Sequence, residues 1–337
     1  MSKPLCAYVY SSNLKQLGEN PFQNEYLKKV DYIYYSFAHI ESDASLSFPV
    51  GFHDYLNELT SLHKNVILSI NGARNLSNIC VDENLRKKLV SNLIDCIKAN
   101  QLSGIDIDWE VPGSCEKTVE TDKSSLNQLV KDLKTLMPKG DLLTIAIEGK
   151  PLGDYKYDYA FLNTYIDYYN IMNYDANITD TASHLCPLYK VDNLSRNYSI
   201  DEAYKKLIQN GMDKEKMIIS CAFYGKVYML DEEINDGIII GKKAHLTASE
   251  YPSGTAHYHY IKRFYNEQNG FEWFNDVKTG ATFAYNPKTH IFVTFDDEIS
   301  IKQKVAYAKQ TDIGIMFWDY SGDYNNELLQ AVVEKFK

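Results

Sequence analysis

Ser103-Gly104-Ile105-Asp106-Ile107-Asp108-Trp109-Glu110-Val111-Pro112-Gly113 sets three acids on alternate positions of an otherwise apolar run. On a strand alternate side chains share a face, so Asp106, Asp108 and Glu110 line one side at steps of about 6.6 Å. Ile105, Ile107 and Trp109 line the other. If the apolar side packs on helices, the acids point into an interior where unpaired charge is expensive. Standing alone, D-x-D-x-E reads as a half-exposed strand with an acidic outer face. Its surroundings decide against that.

Working outward, short runs rich in β-branched and aromatic residues alternate with helical patterns along the whole chain, the signature of βα repeats and a parallel sheet. Eight strands are expected: Cys6 to Tyr10, Tyr32 to Ala38, Asn65 to Ile70, Gly104 to Glu110, Leu142 to Ile147, Tyr165 to Met172, Met217 to Ala222 and Asp312 to Trp318. Leu85, Leu89, Leu93 and Ile97 make one amphipathic stripe, and Leu126, Leu129, Val130, Leu133, Leu136 and Met137 another before Pro138. Ser199 and Glu202 stand in capping-box spacing ahead of a third helix. Eight such units predict an α/β fold, a (β/α)8 TIM barrel, and no glycine-rich phosphate loop follows the first strand to favour a dinucleotide fold. The seventh connection is far longer than the roughly 2–6 residues usual for such loops. The expected division is a catalytic barrel of residues 1–227 and 300–337 with a small α+β insertion domain, 228–299, walling a groove. The acid run is then the fourth strand, and Glu110 stands at its C-terminal end, where barrel enzymes carry catalytic groups.

The chain has 337 residues, 45% of them hydrophobic and 13% aromatic, enough for a sizeable core and against disorder. Its 35 basic and 45 acidic residues give a formal net charge of -10. That field repels phosphate backbones and anionic lipid, so neither nucleic acid nor membrane is expected as a partner. No run approaches the ~18 apolar residues of a membrane span, and the start MSKPLCAYVYSSN lacks a signal peptide's apolar core. Cys6, Cys80, Cys96, Cys115, Cys186 and Cys221 are scattered, without C-x-x-C pairs or Cys/His clusters at ligand spacing. They read as reduced core residues, and neither a metal nor another cofactor is expected. Crowded carboxylates cannot all ionise at neutral pH, so a proton is retained and Glu110 is placed to stay protonated as a general acid. The arrangement suits glycosidic bond cleavage. Magnesium ligation by the same three acids is the alternative, without a phosphate loop or basic cluster to accompany it.

These residues resemble glycoside hydrolase family 18, the chitinase family, whose fourth barrel strand carries D-G-x-D-x-D-x-E; Gly104, Asp106, Asp108 and Glu110 stand at matching places. Ser69-Ile70-Asn71-Gly72 is similar to the family's S-x-G-G and Met172-Asn173-Tyr174-Asp175 to its M-x-Y-D. His184-Leu185-Cys186-Pro187-Leu188-Tyr189 resembles H-x-x-P-L-Y, Ala222-Phe223-Tyr224-Gly225-Lys226 resembles P-F-Y-G-R, and Gly314-Ile315-Met316-Phe317-Trp318 its last strand. The resemblance implies a chitinase acting on chitin or chitooligosaccharides by a retaining, substrate-assisted route through an oxazolinium ion. It implies Glu110 as acid and base, Asp108 as the group that orients the acetamido N–H, Asp106 as its proton partner, and Tyr174 as donor to the acetamido oxygen. Asp175 would contact the distorted sugar and Trp318 would form its floor, with Met172, Tyr224 and Lys226 also lining the substrate. Tyr8, Phe37 and Ser69 resemble subsite walls or supports for Asp106, although each also reads as plain barrel packing; His184 reads as a structural histidine.

Four departures stand out: Ser103 replaces the first acid, Asn71 the first paired glycine, Ala73 a frequent tryptophan, and Lys226 an arginine, which loses the bidentate fork. An endo-β-N-acetylglucosaminidase of peptidoglycan or N-glycans needs the same acetamido group, and a chitinase-like lectin would bind without cutting. The family favours secretion. With no attached binding module in view, the sequence reads as a catalytic unit, alone or as part of a larger protein or complex.

Overall fold

The computed structural model describes residues 3–110, 112–113, 115, 117–150, 156–234 and 237–337. The strands are β1 (Leu5–Tyr10), β2 (Tyr32–Ile40), β3 (Leu46–Ser47), β4 (Val66–Asn71), β5 (Gly104–Asp108), β6 (Leu142–Glu148), β7 (Tyr168–Met172), β8 (Met217–Ala222), β9 (Tyr224–Leu230), β10 (Ala244–Leu246), β11 (Thr255–His257), β12 (Glu272–Asp276), β13 (Ala281–Asn286), β14 (Ile291–Phe295) and β15 (Gly314–Trp318). The helices are α1 (Phe52–Leu62), α2 (Ala73–Ile79), α3 (Glu83–Ala99), α4 (Val119–Leu136), α5 (Tyr159–Tyr165), α6 (Ile200–Gln209), α7 (Tyr258–Phe264), α8 (Glu298–Thr311) and α9 (Glu327–Phe336). None is long and apolar enough to cross a membrane. One sheet has the strand order β1-β15-β8-β7-β6-β5-β4-β2-β3, with β1 also paired to β2; β3 lies antiparallel on β2, and the other eight strands form the closed parallel sheet of a (β/α)8 barrel.

The chain divides into two compact units, Met1–Glu148 with Leu152–Met172 and Lys206–Ile218, and Gly149–Pro151 with Asn173–Lys205 and Ile219–Lys337. In the first, β1 lies parallel to β2, and β2, β4, β5, β6 and β7 follow in parallel register. Asp82 caps α3, accepting the Asn84 and Leu85 backbone N–H groups, and the helix buries Leu89, Val90, Leu93, Ile94 and Ile97. Burying each such side chain contributes about 1.5–3 kcal/mol. Thr118 caps α4, which buries Leu126, Leu129, Val130 and Leu133. Leu136, expected on that stripe, is exposed, because the helix ends there. The expected strand from Tyr165 starts three residues later, at Tyr168, since Asp158 caps a helix that runs through Tyr165. The fourth strand stops at Asp108, so Trp109 and Glu110 lie just beyond it.

In the second unit a six-stranded sheet takes the order β10-β9-β14-β13-β12, with β11 also on β9. It begins at Tyr224, and its core holds Tyr228, Phe283, Tyr285 and Phe292. Ser199 and Glu202 form the expected capping box ahead of α6. His184 is buried with Nε2 3.2 Å from Asp276 Oδ2, a structural pairing. Lys304, fully buried on α8, pairs with Asp296, which also accepts the Ala222 backbone N–H at 2.9 Å. Cys6, Cys80, Cys186 and Cys221 are core residues, whereas Cys96 is half-buried and Cys115 exposed.

Candidate active site

The register between neighbouring strands builds the first cluster. Ser69 on β4 lies opposite Asp106 on β5, and Thr144 on β6 lies opposite it on the other side. Side chains at paired positions share a face, so two hydroxyls flank one carboxylate. Ser69 Oγ donates to Asp106 Oδ2 at 2.8 Å and Thr144 Oγ1 to Oδ1 at 2.6 Å. Tyr8 Oη donates to Oδ2 at 2.8 Å, and Asn170 Nδ2 to Oδ1 at 3.1 Å and to the Tyr8 hydroxyl at 2.9 Å. Tyr34 stacks on Tyr8 with ring centroids 4.7 Å apart. Gly104, which opens the strand, has Leu142 so close that a Cβ would lie 2.1 Å from its carbonyl oxygen. Only glycine lets β5 and β6 approach in this way.

Asp106 and Asp108 are both buried, and Glu110 is exposed. Burial raises the Asp106 pKa, while Thr144, Tyr8, Ser69 and Asn170 hold it back by stabilising the charged form. The Asp108 pKa lies well above the ordinary carboxylate range: burial is the main cause, followed by the charges of Glu110 and Asp106, with the Asn71 amide opposing them. Asp108 Oδ1 has no hydrogen-bond partner. Four donors favour charge on Asp106 while the Asp108 oxygen without a hydrogen-bond partner disfavours it there, so of the two carboxyls Asp108 is the one that keeps a proton more readily.

The second unit holds another cluster. Tyr224 Oη donates to Asp175 Oδ1 at 2.9 Å, and Lys226 Nζ lies 3.7 Å from the same oxygen and 5.6 Å from the Tyr224 ring centroid. Tyr224 and Lys226 share a face of β9 because they stand two residues apart. The Tyr174 ring meets Tyr224 edge-on at 5.8 Å. Burial and the Asp175 charge push the Tyr224 hydroxyl well above its ordinary range. Asp175 takes a left-handed backbone conformation, φ 56°. Lys226, a departure from the family's arginine, donates to Thr255 Oγ1 at 2.8 Å.

Tyr8 and Ser69 thus support Asp106, and Tyr174, Asp175, Tyr224 and Lys226 form one group. Phe37 is buried with its ring 5.9 Å from Tyr10, Met172 ends β7, and Trp318 ends β15 half-buried, its carbonyl accepting the Phe223 N–H at 2.7 Å. Sequence reasoning passed over Thr144, Asn170 and Tyr34 in the Asp106 shell. It also passed over Tyr157, a buried tyrosine whose hydroxyl has no hydrogen-bond partner and feels the Asp108 and Glu110 charges. The available signal for the first two was a lone polar residue inside an apolar strand, LLTIAIE and YYNIM.

Comparison with known proteins follows the same lines. Among curated relatives, probable chitinase 10 of Drosophila melanogaster is 24% identical over 348 residues, covering 94% of this chain and 15% of that protein. Chitotriosidase-1 of Mus musculus is 26% identical over 280 residues, covering 76% of this chain and 58% of that one. The chain therefore spans less than two thirds of each of these relatives' length. Among solved structures, a chitinase from Rhizomucor miehei is similar at 25% identity and a TM-score of 0.86, over 99% of this chain and 100% of that one. A class V chitinase from Nicotiana tobaccum, in complex with NAG4, shares the fold at 19% identity and a TM-score of 0.87, over 99% of each chain. The family model for glycosyl hydrolases family 18 matches residues 5–323, nearly the whole length. With the carboxylate ladder on the fourth barrel strand, and this match, the chain belongs to glycosyl hydrolases family 18.

Proposed function

We propose that the protein is a chitinase that hydrolyses β-1,4-linked N-acetylglucosamine chains with retention of configuration, using the substrate's own acetamido group as nucleophile. The observation that carries this reading is the graded ladder: Asp106 buried within four donors, Asp108 buried beside it with its pKa well above the ordinary carboxylate range, and Glu110 exposed beyond the strand end. Glu110 donates its proton to the leaving glycosidic oxygen while the acetamido oxygen attacks the anomeric carbon. The resulting oxazolinium ion carries positive charge next to the Asp106–Asp108 pair, and the nearby negative charge stabilises it. Asp108 then accepts from the acetamido N–H as its own proton moves toward Asp106. Water adds to the anomeric carbon, returns its proton to Glu110, and opens the ring. This is an exception to the two-carboxylate scheme, because no enzyme group attacks the sugar.

Tyr174 serves as donor to the acetamido oxygen and orients it for attack. Asp175, fixed by Tyr224 and Lys226, takes the distorted sugar, and Trp318 its stacking face; Met172, Phe37, Tyr8 and Ser69 line or brace the substrate-binding residues. The names of the chitinase relatives and the NAG4 complex of a fold neighbour support an N-acetylglucosamine oligomer as substrate.

The test is release of fluorophore from diacetylchitobiose and triacetylchitotriose glycosides across a pH range, with the product anomer followed by NMR. Wild type should release β-anomer first, and Glu110→Gln should lose about 10²–10⁴-fold in kcat while still binding oligosaccharide. Activity surviving in Glu110→Gln, or α-anomer formed first, would overturn the mechanism. Binding without release by wild type would make the protein a lectin.

A further inference from the structure

The six-stranded sheet carries a group that the carboxylate ladder does not use. Glu250 lies in the loop ahead of β11, His257 ends β11 opposite Tyr224 on β9, and His259 is the second residue of α7. The strand-to-helix turn at His257 folds the two imidazoles against one another, with ring centroids 5.3 Å apart and planes at 28°. Glu250 Oε2 accepts the His257 backbone N–H at 2.7 Å, which fixes the carboxylate. Its Oε1 then stands 3.2 Å from His257 Nδ1 and 3.8 Å from His259 Nε2. The three ligand atoms all lie within 4.8 Å of one another. His259 Nε2 is buried and has no hydrogen-bond partner.

We propose that Glu250, His257 and His259 form a binding site for a divalent transition-metal ion, zinc being the best match. Bonds of about 2.0–2.1 Å in tetrahedral geometry set ligand atoms roughly 3.4 Å apart, and the two separations to Glu250 Oε1 bracket that value. Two imidazoles and one carboxylate are a donor set that zinc, cobalt and nickel accept and that calcium or magnesium do not favour. The buried His259 Nε2, which has no hydrogen-bond partner, gains a ligand bond from the ion. Asp319 stands where the outer acceptor of a metal-bound histidine would be: its Oδ2 lies at ion-pair distance, 3.8 Å, from His257 Nε2, on the far side of the ring from the ligating nitrogen. Glu250 and Asp319 together balance a dication. Glu250 and His259 each keep some solvent exposure, 15% and 18%, so an ion has a way in and a fourth position is left for water. Cys/His clusters at ligand spacing are the sequence signal for such a site, and here the carboxylate instead comes from seven residues upstream of an H-x-H pair.

The experiment is titration of the intact, chelator-treated protein with Zn²⁺ by calorimetry, and with Co²⁺ by visible absorption. Wild type should take up one equivalent with a roughly micromolar or tighter Kd, and Co²⁺ should show the intense visible bands of a tetrahedral site. His259→Gln and Glu250→Gln should each weaken binding by at least about 100-fold, and Asp319→Asn by about 10–100-fold. His245→Ala removes an exposed histidine paired with Asp231 and should leave binding unchanged. Circular dichroism in chelator checks the fold of each variant, and shifts of the His257 and His259 ring signals on adding Zn²⁺ identify the ligands in wild type. No uptake by wild type, uptake unaltered in a folded His259→Gln variant, or loss of uptake in His245→Ala would overturn the site.

Discussion

Thr144→Val tests where the charge sits in the carboxylate ladder. The change keeps the shape of the side chain and removes the hydroxyl that donates to Asp106 Oδ1 at 2.6 Å, leaving that oxygen only Asn170 at 3.1 Å. Thr144 is the strongest of the four groups that hold the Asp106 pKa down. A hydrogen bond to a buried charge contributes about 1.5–3 kcal/mol, equal to about 1–2 pH units at ~1.4 kcal/mol per unit. The sign follows from linkage. Asp106 has its folded pKa above its unfolded value, so the native state binds more protons and this group's contribution falls as pH rises through the folded pKa. Thr144→Val raises that pKa further, so its penalty should be larger at about pH 8 than at about pH 4, because the native carboxyl holds more proton at the lower pH. Guanidinium unfolding of wild type, Thr144→Val and Thr144→Ser at both pH values measures this, with Thr144→Ser expected to restore most of the loss. An equal penalty at the two pH values would refute the reasoning, because Asp106 would then hold a proton throughout and the negative charge would lie elsewhere.

Two further predictions concern ionisable groups of the second unit. Lys304→Met should lower stability by about 3–5 kcal/mol by leaving Asp296 buried without its counter-charge. Adding Asp296→Asn should recover part of the loss, and a single-variant loss under about 1 kcal/mol would contradict the pairing. Burial pushes Asp323 up to about 6, although the backbone N–H groups of Leu329, Leu328 and Tyr324 oppose it. Its proton therefore stabilises the native state at low pH, a contribution of about 3 kcal/mol lost as pH rises from about 4 to about 6. Asp323→Asn should flatten the stability profile in that window, read as unfolding midpoints, and an unchanged slope would show that another group titrates there.

Local chemistry in the sequence determined the carboxylate ladder, the barrel repeat and most strand positions. A two-residue alternation fixes which side chains share a face whatever lies across from them, so Asp106 and Asp108 could be placed on one side from Ser103–Gly113 alone, whereas Glu110 lies past the end of the strand. Boundaries were less legible where signals compete. Tyr165 reads as strand because aromatic residues favour strands, yet the Asp158 cap keeps it helical. Tertiary structure alone decided the surroundings that shift the pKa values of the ladder. The groups that stabilise charge on Asp106 come from positions 37, 38, 64 and 98 residues away, brought level by strand register. The Glu250, His257 and His259 group likewise depends on a loop returning to a strand-to-helix turn. Periodicity carries information about facing, which is local; partners and pKa values depend on which distant strands become neighbours, and only the folded chain supplies that.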